Sequence, residues 1–179
     1  MRAIYFLMVL LGCIVRAEAT TITYDVNNIA GNRWEYVYTV NNDTLAGNIL
    51  EFTVFFAASS YENLLADATP SDWNPLVIQP DTSLPADGFY DSLALVSGIA
   101  PNTSLSGFTV SFDFLGSGTP GNQPYDIVDP ATFETIVSGN TRLNSSNVPE
   151  PGELPMLIIG VSMFMVISGW GNRRLRFHY

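Results

Sequence analysis

The sequence predicts an all-β fold, an antiparallel β-sandwich domain with one helical hydrophobic segment at each end of the chain. Seven or eight short runs alternate polar with apolar residues, which is the period of a β-strand. Clusters of Gly, Pro and Asn separate these runs, as turns do between strands. No window between the two ends of the chain keeps the 3.6-residue period of an amphipathic helix.

The predicted strands follow one another along the chain with turn residues between them. They cover residues 21–26, 34–40, 50–57, 89–96, 105–115, 125–128 and 133–137. In the second run, alternation places Trp34, Tyr36, Tyr38 and Val40 on one face, which we expect to face the core. Residues 62–68 fit a single helical turn within a loop.

The N-terminus has the composition of a signal peptide. Arg2 gives it a positive start, residues 4–15 form an apolar run, and Ala17 and Ala19 form a small-x-small cleavage site. Signal peptidase is therefore expected to cut after Ala19. The alternative is a lipoprotein signal with Cys13 as the processing point, which would leave a lipidated cysteine at the mature N-terminus.

An uncharged apolar run of 17 residues, 154–170, lies near the C-terminus. As a helix it would span about 25 Å, against a hydrocarbon core of about 30 Å. The basic cluster Arg173, Arg174 and Arg176 follows the run and is expected to stay in the cytoplasm. The pattern predicts one transmembrane helix with the preceding domain outside. The alternative is a helix buried in the core of a soluble domain.

Charge and residue usage exclude several classes of function for residues 20–148. This segment carries 14 acidic residues against Arg33 and Arg142, a net charge of −12, so it should repel nucleic acid. The single cysteine, Cys13, and the single histidine, His178, both lie outside it. A disulfide, a Ser-His-Asp or Cys-His centre and a His/Cys zinc site are therefore excluded. Carboxylate chemistry and calcium binding through oxygen ligands stay open.

A proline-flanked motif, Val148, Pro149, Glu150 and Pro151, stands just before the apolar run. Its two prolines favour an extended backbone, the form that a protease cleft binds. With the apolar run, the basic cluster and the signal peptide, the motif resembles the PEP-CTERM sorting signal of Gram-negative bacteria that make extracellular polysaccharide. The resemblance implies cleavage near the motif by exosortase, a membrane transpeptidase-like cysteine protease, and transfer to the cell surface or the exopolysaccharide matrix.

The domain before the motif also resembles a recurrent ectodomain of PEP-CTERM proteins. The resemblance rests on residues 31–36, 105–108 and 118–124. It implies a small all-β surface domain and brings no catalytic residues with it. The resulting organisation is a signal peptide (1–19), a β-sandwich (20–143), a linker with the motif (144–153), a transmembrane helix (154–172) and a basic cytoplasmic tail (173–179).

A few residues are candidates for ligand or metal binding. Trp73 lies in a loop-like context and is a candidate for stacking on a sugar ring, whereas Trp34 opens an apolar face and is expected in the core. The spacing of Asp81, Asp87 and Asp91 does not match an EF-hand, which needs acids at alternate positions and a closing glutamate. The sequence therefore assigns no catalytic residue, no metal ligand and no cofactor, and it leaves open whether calcium binds.

These features predict a non-enzymatic, exported structural or binding protein. We expect it in the inner membrane transiently and afterwards at the cell surface or in the extracellular matrix. The expected partners are signal peptidase, exosortase and the membrane, with extracellular polysaccharide as a further candidate. Two alternatives stay open: a secreted carbohydrate-active enzyme with paired carboxylates, and an adhesin that remains anchored in the membrane.

Overall fold

The computed structural model describes residues 20–144, which form two β-sheets packed face to face. The strands are β1 (Thr21–Ala30), β2 (Arg33–Asn42), β3 (Glu51–Phe56), β4 (Tyr61–Ala68), β5 (Trp73–Ile78), β6 (Gly88–Ala94), β7 (Thr103–Phe114), β8 (Pro124–Val128), β9 (Thr135–Asn140) and β10 (Arg142–Leu143). Residues 20–144 contain no helix that could span a bilayer. The predicted signal peptide, proline-flanked motif, transmembrane helix and basic cluster lie outside the described residues.

Each sheet has five strands. Sheet I has the order β10-β1-β2-β7-β4, and sheet II has the order β5-β6-β3-β8-β9. Neighbouring strands run antiparallel except β1 and β10, which lie parallel through the pairs Thr23–Arg142 and Tyr24–Leu143. The prediction of an all-β antiparallel sandwich is confirmed for this part of the chain.

The polar–apolar alternation determines which side of each strand enters the core. On β2, Tyr36, Tyr38 and Val40 are fully buried while the residues between them are half-buried. Strand β3 repeats the pattern with Phe52, Val54 and Phe56 buried. The core faces predicted from these two runs are confirmed, because a side chain two positions along a strand returns to the same face.

Aromatic rings join the two sheets across the core. Phe52 of sheet II meets Phe108 of sheet I edge to face, with ring centroids 4.9 Å apart. The ring centroid of Phe56 lies 5.9 Å from that of Phe112 and 6.4 Å from that of Tyr36. Burying each ring contributes about 1.5–3 kcal/mol, and each well-placed aromatic pair adds about 0.5–1.5 kcal/mol. Packing of this kind holds the described domain together without a disulfide.

The helical turn predicted over residues 62–68 is wrong, because these residues belong to β4 at the edge of sheet I. The register between β4 and β7 shifts twice, between Glu62 and Leu65 and between Ala66 and Ala68. Asn63, at a φ of 53°, lies at the first shift. These bulges remove the regular alternation by which a strand is recognised in a sequence.

Strands β5 and β10 are also absent from the sequence prediction. β5 contains Pro75, which lacks a backbone N–H and is tolerated because β5 is an edge strand. β10 has only two residues and is too short to show a period. β5 pairs with the next strand, β6, whereas β10 pairs with β1 at the other end of the domain.

Candidate functional site

The outer face of sheet II is the surface on which charged and apolar side chains come together. The alternation that buries Phe52 and Val54 turns Glu51, Thr53 and Phe55 of β3 outward. The neighbouring strands add further outward residues at the same levels. They are Phe89, Asp91 and Leu93 of β6, Leu76 and Ile78 of β5, Asp126 and Val128 of β8, and Ser138 of β9.

Two aspartates lie on either side of Thr53 at one level of this face. Thr53 pairs in register with Asp91 of β6 and with Asp126 of β8. Its hydroxyl donates to Oδ1 of Asp91 at 2.7 Å. The hydroxyl of Ser138 donates to Oδ1 of Asp126 at 2.7 Å. The Cα atoms of the two aspartates are therefore about 10 Å apart, two strand spacings, and each carboxylate is oriented by a neighbouring hydroxyl.

Glu51 adds a third carboxyl on the same strand as Thr53, one step along the face. Burial raises the pKa of Glu51, and the nearby charge of Asp91 raises it further. Burial also raises the pKa of Asp91, an effect partly opposed by the hydrogen bond from Thr53. Both groups lose hydration in the folded protein because aromatic and aliphatic side chains surround them.

Apolar side chains form the rest of this face. Phe55 and Phe89 pair in register on adjacent strands, and both are half-buried. Ile78 lies opposite Phe89 on the edge strand β5. Leu76, which pairs in register with Asp91, is 51% exposed. The face therefore combines an aromatic pair, exposed aliphatic residues and desolvated carboxylates.

No basic side chain of residues 20–144 lies on this face. The two arginines of that segment belong to sheet I: Arg33 begins β2 and Arg142 begins β10. Arg33 forms an ion pair with Asp113 of the same sheet at 3.3 Å. Within residues 20–144, no group of three or more His, Cys, Asp or Glu side chains is arranged to hold a metal ion.

Trp73, the candidate ligand contact, is the first residue of β5 and only 5% exposed. Its ring lies 5.1 Å from that of Phe108 and 5.9 Å from that of Phe52. The expected loop position is thus corrected to a core position, because the start of β5 is turned inward against the other sheet. The ring offers no exposed face for a sugar. Trp34 is half-buried and packs against the core.

The three aspartates considered for calcium serve separate purposes. Asp81 accepts hydrogen bonds from the backbone N–H and hydroxyl of Ser83, which lower its pKa. Asp87 accepts the backbone N–H of Ala58 at 3.0 Å. Asp91 alone belongs to the outer face of sheet II. Asp81 is a local turn acceptor, whereas Asp87 joins its loop to the end of β3.

A buried polar network surrounds Gln123, in the loop before β8. Gln123, at the end of residues 118–124, is 1% exposed. Its Nε2 donates to the hydroxyls of Tyr36 at 2.6 Å and Tyr61 at 3.1 Å and to the carbonyl of Gly121. Its Oε1 accepts the hydroxyl of Tyr38 at 3.2 Å. The network ties the loop before β8 to sheet I, and no sequence signal marked Gln123.

The chain shows little similarity to known proteins. No protein-family model matches it, and no curated protein matches it at a significant level. Among solved structures it is similar to a cohesin module from the family 33 glycoside hydrolase of Clostridium perfringens ATCC13124. The identity is 11%, with 70% of this chain and 97% of that chain covered and a TM-score of 0.41.

Two further solved structures show similarity at the same level. The chitin-binding domain of Chi18aC from Streptomyces coelicolor is 21% identical, with 60% of this chain and 90% of that chain covered and a TM-score of 0.37. The GH20 exo β-N-acetylglucosaminidase from Vibrio harveyi is 13% identical, with 74% of this chain but 20% of that chain covered and a TM-score of 0.38. TM-scores of this size establish neither a common family nor a common ligand.

Proposed function

We propose that this protein is an exported, non-enzymatic β-sandwich that exosortase sorts through its C-terminal signal to the cell surface or the extracellular matrix. The observation that carries the proposal is the order of its C-terminal features. The proline-flanked motif Val148–Pro151 comes first, the uncharged run 154–170 follows, and the basic cluster 173–176 comes last. A membrane-embedded protease needs an extended segment held next to the bilayer, and this order provides one.

The extent of the folded domain supports the proposal. Its first strand begins at Thr21, next to the predicted cleavage after Ala19. Its last strand ends at Leu143, before the motif. Both predicted cut sites therefore lie outside the sandwich, so removal of either terminal segment would leave the described strands and their core intact.

The test is the mass and location of the protein in a host that makes exosortase. Protein from the surface fraction should have lost both the signal peptide and the segment 154–179. Replacing Pro149, Glu150 and Pro151 together by alanine should leave the C-terminus uncut and the protein in the inner membrane. A matched triple alanine variant of Ser145, Ser146 and Asn147 should be processed as the wild type is.

Two results would contradict the proposal. An intact C-terminus on surface-exposed wild-type protein would indicate the alternative, an adhesin anchored by its transmembrane helix. Normal cutting of the variant without the proline-flanked motif would show that the motif is not the signal. Exosortase-deficient cells provide the third comparison, since there the wild type should behave like the motif variant.

A further inference from the structure

The outer face of sheet II carries an electrostatic imbalance that restricts what can bind there. Glu51, Asp91 and Asp126 all lie on this face, and within residues 20–144 the basic residues Arg33 and Arg142 lie on the other sheet. An acidic surface without counter-charges attracts cations and repels anions. A partner of this face should therefore be cationic.

The apolar part of the face indicates what kind of cation it fits. Phe55 and Phe89 lie side by side on β3 and β6, and Leu76 and Ile78 continue the apolar surface onto β5. Pyranose rings present apolar C–H groups that pack on such surfaces. An ammonium group next to aromatic rings is further attracted by the negative face of the ring. A sugar polymer that carries amino groups combines both properties.

The spacing of the strands that carry the two aspartates favours such a polymer over a basic peptide. The Cα atoms of Asp91 and Asp126 lie on either side of Thr53, about 10 Å apart across the strands. An extended β-linked glycan with two-fold symmetry presents equivalent groups on alternate sugars, a repeat of similar length. An extended peptide presents side chains on one side about every 6.8 Å, which does not fit this spacing.

We propose that the outer face of sheet II binds an extended polysaccharide with free amino groups. The sugar rings lie on Phe55, Phe89 and their aliphatic neighbours, and the ammonium groups pair with Asp91 and Asp126. Thr53 and Ser138 hold these carboxylates in place through hydrogen bonds of 2.7 Å each. The setting rests on the proposed function, which brings the protein into contact with polysaccharide outside the cytoplasm.

The test is co-sedimentation of the full-length protein, purified in mild detergent, with two insoluble polymers of the same backbone. One is chitosan, whose amino groups are free, and the other is chitin, whose amino groups are acetylated. The wild type should bind chitosan and lose this binding as salt increases. The double variant D91N/D126N should bind chitosan at least about tenfold more weakly than the wild type does.

The matched control removes two negative charges from sheet I instead of sheet II. Glu62 and Asp67 are exposed on β4 of sheet I, so the variant E62Q/D67N has the same net charge as D91N/D126N. It should bind chitosan as the wild type does. Circular dichroism and thermal unfolding of each variant show whether it is folded, and the two aspartate substitutions are isosteric.

Three outcomes would overturn the proposal. They are absence of chitosan binding by the folded wild type, equal weakening by both double variants, and stronger binding to polylysine than to chitosan through the same aspartates. The last result would assign the face to a basic polypeptide. Sorting is measured separately, by the mass of the protein from its host, so either proposal can fail while the other holds.

Discussion

The outward side chains of sheet I include many Thr, Ser and Asn together with the acidic residues Asp25, Glu35, Glu62 and Asp113, whereas those of sheet II combine acidic with aromatic and aliphatic side chains. On sheet I, the Thr39 hydroxyl donates to that of Ser106 at 3.0 Å. Arg33 donates to the Ser111 hydroxyl at 2.6 Å and pairs with Asp113. On sheet II, three carboxyl groups lie among Phe and Leu side chains, and no arginine accompanies them in the described residues.

The difference shows that one alternating pattern can produce two kinds of surface. On sheet I the charge of Asp113 is balanced by Arg33 of the same sheet, whereas no described basic residue balances the carboxylates of sheet II. Sheet II keeps carboxylates with raised pKa values, a state that costs stability unless a cation arrives. Partly desolvated charge of this kind, with no cationic partner among the described residues, is typical of binding surfaces.

The largest expected effect concerns the core that supports both faces. Phe108→Ala removes a ring that contacts Phe52 and Trp73 of sheet II. It should lower the free energy of unfolding by about 3–5 kcal/mol, because a cavity replaces a buried ring. Urea unfolding measures the change. Phe133→Ala is the control, since Phe133 is 80% exposed, and its loss should change stability by less than about 0.5 kcal/mol.

A smaller loss is expected when the buried amide network is broken. Gln123→Leu keeps the volume but leaves the hydroxyl of Tyr38 without its acceptor. The cost should be about 2–3 kcal/mol, the penalty for unsatisfied buried polar groups. Asn122→Leu, at the exposed neighbouring position, should be close to neutral. Similar unfolding midpoints for the two variants would show that the network contributes nothing.

Arg33→Gln tests whether the polar contacts of Arg33 within sheet I stabilise the fold. The substitution removes the partner of Asp113 and the hydrogen bond to Ser111, so the free energy of unfolding should fall by about 1 kcal/mol. Arg142→Gln, on the exposed strand β10, should cost less. Chitosan binding should not weaken in either variant, because both arginines lie on sheet I. A marked loss of binding would remove the contrast between the two faces.

Asp91→Asn should have the smallest effect on stability, and it should stabilise the protein instead of destabilising it. Burial raises the pKa of Asp91, so the folded state binds a proton more readily than the unfolded state does. Stability therefore falls as pH rises from the ordinary aspartate pKa through the raised one. Glu51 acts in the same direction, and Asp126 is the other charge facing Asp91 across Thr53.

The substitution should accordingly raise the Tm slightly at pH 7 and make the Tm less dependent on pH above the ordinary aspartate pKa of about 4. The gain follows because asparagine keeps an oxygen acceptor for the Thr53 hydroxyl and carries no charge. Thermal unfolding at a series of pH values measures both effects. A lower Tm at pH 7 would show that the Asp91 charge stabilises the fold, and would count against its role as a group reserved for a ligand.

The regular strands could be predicted because their residues alternate without interruption. Tyr36, Tyr38 and Val40 of β2 and Phe52, Val54 and Phe56 of β3 are buried as their period requires. Strand β4 could not be predicted, since Asn63 and two register shifts break its period. Its place is decided by pairing with β7, a contact that no local window contains.

The candidate site, like the strands, could be predicted only in part from the sequence. The sequence shows 14 acidic residues between positions 20 and 148 but does not indicate which of them meet. Asp91 and Asp126 lie at one level of the same face only because β6 and β8 both pair with β3. Trp73 shows the opposite case, because a polar, proline-containing stretch suggests a loop while the sheet turns the ring inward.

The sequence by itself determined the all-β class, the core-facing side of the regular strands, and the absence of histidine and cysteine from the domain, because these depend on composition and local period. It also carries the whole prediction of export and sorting, whose residues lie outside the described part of the chain. The tertiary structure alone decided the strand order, the inward position of Trp73, the Gln123 network and the gathering of carboxylates on sheet II. Those features depend on contacts between residues tens of positions apart, and only the folded chain brings such residues together.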